Sequence, residues 1–266
     1  MNKKAIGVFD SGIGGLTVYK ALKDKMPNEK VIYLGDTARL PYGTKSAETI
    51  IKFSEDNAQF LLSRDVKIIV VACNSASSYA IKPLQEKLKI PVFGVIEPGA
   101  EAAVKWSKNS IGVIGTTATI SSGAYEKMIL EKKPGAKIIA KDCPLFVPLV
   151  EEGWLTHKVT RLVAEEYLLP LKEKGIDSLV LGCTHYPVLK GVIGDVLGDR
   201  ITLIDSAEVI SEKAYAILKE KDWLDGNRKV GTEQDEFFVT DFPARFKKVG
   251  EIFLGREIEK VQVAII

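Results

Sequence analysis

Cysteine is scarce: Cys73, Cys143 and Cys183 are the only three in 266 residues. An odd number at such wide spacing builds neither a disulfide framework nor a zinc site of paired ligands, which leaves reactive thiols or small buried ones. Histidine is scarcer still, at His157 and His185. Long apolar runs are missing. The stretch after Met1-Asn2-Lys3-Lys4 ends at Asp10, too short for a signal-peptide core or a membrane span, so a cytoplasmic protein with no membrane partner is expected. Neither charge dominates: 37 Lys plus Arg against 35 Asp plus Glu leave a formal +2. That is too weak a field to gather nucleic acid, and no nucleic-acid partner is expected. No low-complexity linker divides the chain either, so any domain boundary falls in an ordinary loop such as the expected turn at Glu97-Pro98-Gly99.

What is present is a well-mixed globular composition, 46% hydrophobic and 27% charged, in a chain long enough for one large α/β domain or two ordinary ones. Short β-branched runs recur at Ala5 to Phe9, Val31 to Leu34, Ile68 to Ala72, Val92 to Ile96, Ile111 to Ile114, Ile138 to Ala140, Leu179 to Leu181 and Ile201 to Ile204. Each reads as a buried strand. Amphipathic helical segments alternate with them, at Leu16 to Met26, Ala47 to Arg64, Ser77 to Leu88, Val159 to Lys174 and Ser206 to Asp222. Such alternation predicts parallel sheets with right-handed crossovers.

One internal echo carries chemistry. Ile68-Ile69-Val70-Val71-Ala72-Cys73-Asn74-Ser75 parallels Leu179-Val180-Leu181-Gly182-Cys183-Thr184-His185. In both, an apolar strand delivers a cysteine and then polar residues to its carboxyl end, the end at which open α/β sheets bind ligands. Each cysteine precedes an expected helix start, Ser77 onward and Tyr186-Pro187 onward, where free N–H groups favour a thiolate; both sulfurs are expected to ionise more readily than a free thiol. A lone cysteine is usually a small buried hydrophobe, but two in matching contexts suit a carbon acid that loses its proton on one face and regains one on the other. Asp10, at the end of the first strand, and His185, two residues from Cys183, are the natural proton partners; the plainer reading of Asp10 is a helix N-cap. His157 has no such company and reads as structural.

The run Gly12-Ile13-Gly14-Gly15 invites a nucleotide reading, which fails because Thr17 stands where the dinucleotide fingerprint needs glycine, and no Lys-Ser or Lys-Thr pair completes a phosphate loop. A carboxylate remains a suitable guest for such a turn.

Four segments, Asp10-Ser11-Gly12-Ile13-Gly14-Gly15-Leu16, Pro41-Tyr42-Gly43, Ala72-Cys73-Asn74-Ser75-Ala76 and Leu181-Gly182-Cys183-Thr184-His185-Tyr186-Pro187, together resemble the glutamate racemases of the aspartate/glutamate racemase superfamily. The resemblance implies two similar open parallel-sheet α/β domains with the active site in the cleft between them, and chemistry without pyridoxal phosphate, metal or nucleotide. It makes Cys73 the base toward D-glutamate and Cys183 the base toward L-glutamate, assisted by Asp10 and His185 respectively. Glu151, with Glu152 beside it as the alternative, matches a further acidic residue.

Substrate contacts implied by the resemblance are Ser11, Pro41, Tyr42, Gly43, Asn74, Ser75, Thr116, Thr119 and Thr184; Ser75 replaces the commoner threonine and keeps its hydroxyl. Cys143 matches no catalytic role. The expected partition is 1–98 plus 208–266 for a first domain and 99–207 for a second, since Phe237-Phe238-Val239 reads as a strand that returns to the first. The resemblance further implies D-glutamate for peptidoglycan synthesis and a homodimer. Because Asp10 comes so early, control through an N-terminal extension is not expected. Two other readings stay open: racemisation of aspartate or another small amino acid, and a non-catalytic amino-acid-binding protein of the same fold.

Overall fold

A computed structural model describes residues 4–225 and 235–266. Among the described residues, ten strands fall into two wholly parallel sheets. The first contains β1 (Ala5–Asp10), β2 (Val31–Gly35), β3 (Val66–Val71), β4 (Val92–Gly94), β9 (Glu236–Val239) and β10 (Gln262–Val263), in the order β10-β9-β2-β1-β3-β4. The second contains β5 (Ser110–Gly115), β6 (Lys137–Asp142), β7 (Ser178–Gly182) and β8 (Thr202–Asp205), in the order β6-β5-β7-β8. The continuous apolar runs of β1, β3 and β7 follow from helices covering both faces of each sheet, which leaves every residue of these strands buried.

The helices between strands are α1 (Leu16–Lys25), α2 (Ala47–Ser63), α3 (Asn74–Tyr79), α4 (Ile81–Lys87), α5 (Ile96–Trp106), α6 (Thr117–Ser121), α7 (Ala124–Lys132), α8 (Phe146–Glu151), α9 (Lys158–Glu173), α10 (Lys190–Leu197), α11 (Ser206–Glu220) and α12 (Pro243–Leu254). Helix α11 packs against both α1 and α5 and so ties the two sheets together. No helix among the described residues is long and apolar enough to cross a membrane.

Three local expectations need correction. The run from Val92 leaves the sheet at Gly94, and Glu97-Pro98-Gly99 is the first turn of α5, not a turn between elements. Proline fits there because the first turn of a helix needs no donated N–H, and Gly99 leaves room for the Tyr125 ring, 3.1 Å from where a Cβ would stand. The segment expected as one helix from Ser77 to Leu88 is two, α3 and α4, and α3 begins at Asn74, so that Cys73 is its N-cap residue.

Below the amino ends of the first sheet's strands lies a buried polar network. Lys67 donates to Glu29 Oε2 at 2.6 Å and to the Trp223 carbonyl at 2.8 Å, while Glu29 Oε1 accepts from the Asp225 N–H at 2.7 Å. Removing Lys67 would leave the buried Glu29 carboxylate without its ion-pair partner, a cost of about 3–5 kcal/mol. Of the expected first domain, residues 1–3 and 226–234 lie outside the described residues.

Candidate active site

The carboxyl ends of both sheets converge. Asp10 ends β1, Cys73 follows β3, Thr116 follows β5 and Cys183 follows β7. Between them is a cavity of about 140 Å³ lined by Ser11, Pro41, Tyr42, Gly43, Cys73, Asn74 and Ser75 from the first sheet's side. Thr116, Cys183, Thr184 and His185 line it from the second. Both sulfurs thus face one space, as the echo between the two strands requires. Asp10, Thr119 and Glu151 stand behind the lining, each bonded to a residue nearer the cavity.

Seam contacts hold the walls in register. The Ser75 hydroxyl lies 2.9 Å from that of Thr116 and 3.4 Å from that of Thr119, and Thr116 caps α6 by accepting the Thr119 N–H at 3.4 Å. Tyr125 donates to Asn74 Oδ1 at 2.8 Å, which leaves the buried Asn74 Nδ2 without a protein partner and available to a ligand's carboxylate. Two glycines permit the close approach. A Cβ on Gly14 would stand 2.3 Å from Thr184 Oγ1 and 2.5 Å from His185 Nδ1, and one on Gly43 would stand 2.8 Å from Thr116 Cβ. The glycine run near the amino terminus therefore serves contact between the two halves of the site.

On one side, Cys73 is buried, with Sγ 3.5 Å from the Ser11 hydroxyl. Burial and the nearby Asp10 push its thiol up to about 12, although the Ala76 N–H at the start of α3 pulls the other way. The expectation that a helix start makes this sulfur readily ionised is therefore wrong: one N–H does not offset the loss of water and a neighbouring carboxyl. Burial likewise raises Asp10, and His185 and the N–H groups of Gly12 and Gly15 only partly offset it. The Gly12 N–H donates to Asp10 Oδ2 at 2.9 Å, and Thr184 Oγ1 lies 3.5 Å from Asp10 Oδ1. Asp10 thus braces the glycine turn before α1, whose N-cap is Gly15.

On the other side, His185 Nδ1 lies 3.9 Å from Cys183 Sγ, and its Nε2 is 3.2 Å from Glu151 Oε1. Burial alone would lower the imidazole, but Cys183 and Glu151 outweigh it and raise His185 to about 10. Burial pushes Glu151 up, yet His185 and Arg245 hold its carboxyl below the usual range. Arg245 donates to Glu151 Oε2 at 3.2 Å. The neighbouring carboxylate, Glu152, is solvent-exposed and 3.9 Å from Arg245, so Glu151 is the acid that touches His185.

Sequence reasoning left out Thr44, Thr117, Pro144, Val147 and Pro148, which complete the lining and give the cavity an apolar side. It also left out Arg245, an ordinary surface arginine by its local sequence. Cys143 is buried away from the cavity, its sulfur 3.7 Å from the Lys141 carbonyl and its own carbonyl accepting from the Tyr186 hydroxyl at 2.8 Å. His157 caps α9, accepting the Val159 N–H at 3.2 Å, and stacks on Trp154. All three cysteines are free. Among the described residues no three of His, Cys, Asp or Glu are grouped to hold a metal ion.

Comparison with known proteins agrees with this geometry. Residues 6–214 match the model of the Asp/Glu/hydantoin racemase family. A glutamate racemase of Geobacter metallireducens is 50% identical over 97% of this chain and 95% of its own length. The crystal structure of a glutamate racemase from Bacillus anthracis superposes with a TM-score of 0.94 at 38% identity, covering 100% of this chain and 99% of that one. That of Francisella tularensis, in complex with D-glutamate, superposes at 0.93 and 42% identity, covering 100% and 98%. The chain belongs to the Asp/Glu/hydantoin racemase family and is, with these relatives, an amino-acid racemase.

Proposed function

We propose that this chain interconverts L- and D-glutamate by moving a proton at Cα between Cys183 and Cys73, without a cofactor. One observation carries the reading: two cysteines, delivered by equivalent strands of two sheets, line one small cavity. From L-glutamate, the Cys183 thiolate takes the Cα proton and becomes a thiol, while the electron pair left on carbon takes the proton of the Cys73 thiol on the other face. The product is D-glutamate, with Cys73 now the thiolate. Proton return through solvent or through the reverse reaction resets the pair.

The surroundings suit these parts. A cationic His185 at 3.9 Å is a partner for a negative sulfur, and Glu151 keeps that imidazole protonated. A thiol pushed up to about 12 holds its proton until a carbanion needs it, which describes Cys73 with L-glutamate bound. In the reverse direction Asp10, itself raised by burial, is the group beside Cys73 able to receive that proton. Asn74 Nδ2, the hydroxyls of Ser11, Ser75, Thr116 and Thr184, and the Tyr42-Gly43 loop would bind the two carboxylates and the ammonium; Thr119 supports the hydroxyl set from behind. The Tyr42 hydroxyl is fixed on Asp36 and by Asn57 Nδ2 at 3.0 Å.

We take 1–98 plus 208–266 and 99–207 as the two domains, with the C-terminal strands completing the first sheet. Relatives named glutamate racemase at up to 50% identity support glutamate as substrate. A cytoplasmic enzyme that supplies D-glutamate for peptidoglycan would fit that reading.

The test is incubation of L- and D-glutamate separately in D2O, following Cα deuteration by NMR and optical rotation together. Both enantiomers should gain deuterium and lose rotation. Exchange without loss of rotation would rule out the two-sulfur step, no change at all would favour a binding protein, and faster turnover of aspartate would reassign the substrate.

A further inference from the structure

We infer that Arg245, on the first domain's C-terminal helix, is a positioning residue that fixes Glu151 and through it the imidazole of His185. The inference rests on the reading that His185 serves Cys183 in racemisation. Glu151 ends α8, whereas Arg245 lies in the first turn of α12, a helix seated on the other sheet through Phe246 against Tyr33, with ring centroids 5.8 Å apart. The contact therefore crosses the seam between the halves of the cavity. Two further contacts from α12 run beside it: the Phe253 ring meets His185 edge-on at 5.5 Å, and Ile252 approaches Gly153.

The geometry divides the Glu151 carboxylate between two partners. Oε2 faces Arg245 at 3.2 Å and Oε1 faces His185 Nε2 at 3.2 Å. With one oxygen occupied, the carboxylate cannot rotate freely, and the imidazole is held with Nδ1 toward Cys183. Such support is what a proton-transfer pair needs, because the chemistry depends on ring orientation as well as charge. Charged groups facing Glu151 are His185 from beyond β7, Arg245 from α12 and the adjacent Glu152, with Cys183 and Asp10 beyond the imidazole.

Arg245 helps to keep Glu151 below the usual carboxylate range, so losing it should let Glu151 take a proton at higher pH. Activity that needs the ionised carboxylate disappears as pH falls through that value, and the acid limb of the pH profile must then move upward. Its side chain is 49% exposed, so solvent screens the effect and the shift is about half a pH unit, a roughly threefold loss at a pH on the limb.

The experiment is the pH profile of kcat/KM for glutamate in the unsubstituted protein, Arg245→Gln, Arg245→Lys and Glu152→Gln, with thermal melting of each. Expected are an acid limb moved up in Arg245→Gln, restored in Arg245→Lys and unmoved in Glu152→Gln. A lower kcat/KM with an unmoved limb in Arg245→Gln overturns the inference. If Arg245→Gln does not fold, the unsubstituted protein in high salt replaces it, and a limb insensitive to salt overturns the inference equally. No turnover by the unsubstituted protein would defeat the glutamate reading itself, a separate outcome.

Discussion

The two sides of the cavity use the same backbone device and different proton partners. Each sheet ends a buried parallel strand, then presents a sulfur: Cys73 after β3 and Cys183 after β7. Cys73 has a buried carboxyl beside it and, among the described residues, no cation of its own, whereas Cys183 has an imidazole, then Glu151, then Arg245 reaching toward solvent. A symmetric reaction is thus run from an asymmetric resting arrangement. The difference teaches that the second side is built to keep a positive charge near sulfur, and the first to keep a proton on it.

Removing either sulfur tests the comparison most severely. Cys73→Ala and Cys183→Ala should each lower racemisation by about a thousandfold or more, as loss of a proton-transfer group does, while Cys143→Ala keeps activity. Near-equal rates in all three variants would end the idea of two opposed bases. Next comes Gly14→Ala, whose new methyl must displace Thr184 or His185. Displacing the proposed Cys183–His185 pair by about 1 Å should cost roughly a hundredfold in kcat, measured in both directions. A rate within a few fold of the parent would show that the seam yields freely.

Asn74→Ala should act on binding instead, raising KM about tenfold with a smaller change in kcat, because it removes a cavity-lining donor that has no protein partner. A change confined to kcat would move Asn74 out of the substrate's reach. The asymmetry of charge has its own reading in stability. His185 is raised from 6.5 to about 10 in the folded protein, so the stability it contributes is fully present below pH 6.5 and fades as pH rises through 10. Denaturant unfolding of the parent and His185→Gln should show a gap that narrows across that interval, and a gap constant from pH 6 to 10 would contradict the charged imidazole. The smallest effect belongs to Ser75→Thr, about twofold or less in KM, since the hydroxyl facing Thr116 is kept.

The alternation of apolar runs and amphipathic segments was enough to place eight of the strands: six are buried throughout and read as apolar runs, and the edge strands β6 and β8, only partly buried, still carry short β-branched cores. The matched cysteine segments likewise pointed to one crevice. What did not show were features decided by the chain folding back on itself. Pro98 read as a breaker although a first helical turn accepts it. Thr117, Val147 and Pro148 join the cavity only because the sheets face each other. Arg245 carries no local mark at all, its meaning lying in a carboxylate 94 positions away. The ionisation of Cys73 was misjudged for the same reason, since a helix start is visible in sequence and the depth of burial is not.

The order of strands in the first sheet has a consequence for synthesis. Strand β9, drawn from the last part of the polypeptide, lies directly against β2, while β5 to β8 form an uninterrupted block of their own. On the ribosome the later-numbered sheet can therefore be finished before the earlier one, whose open edge waits until β9 has been made. A chain cut before Glu236 should accordingly clump through β2 while the 110–205 block still resists protease.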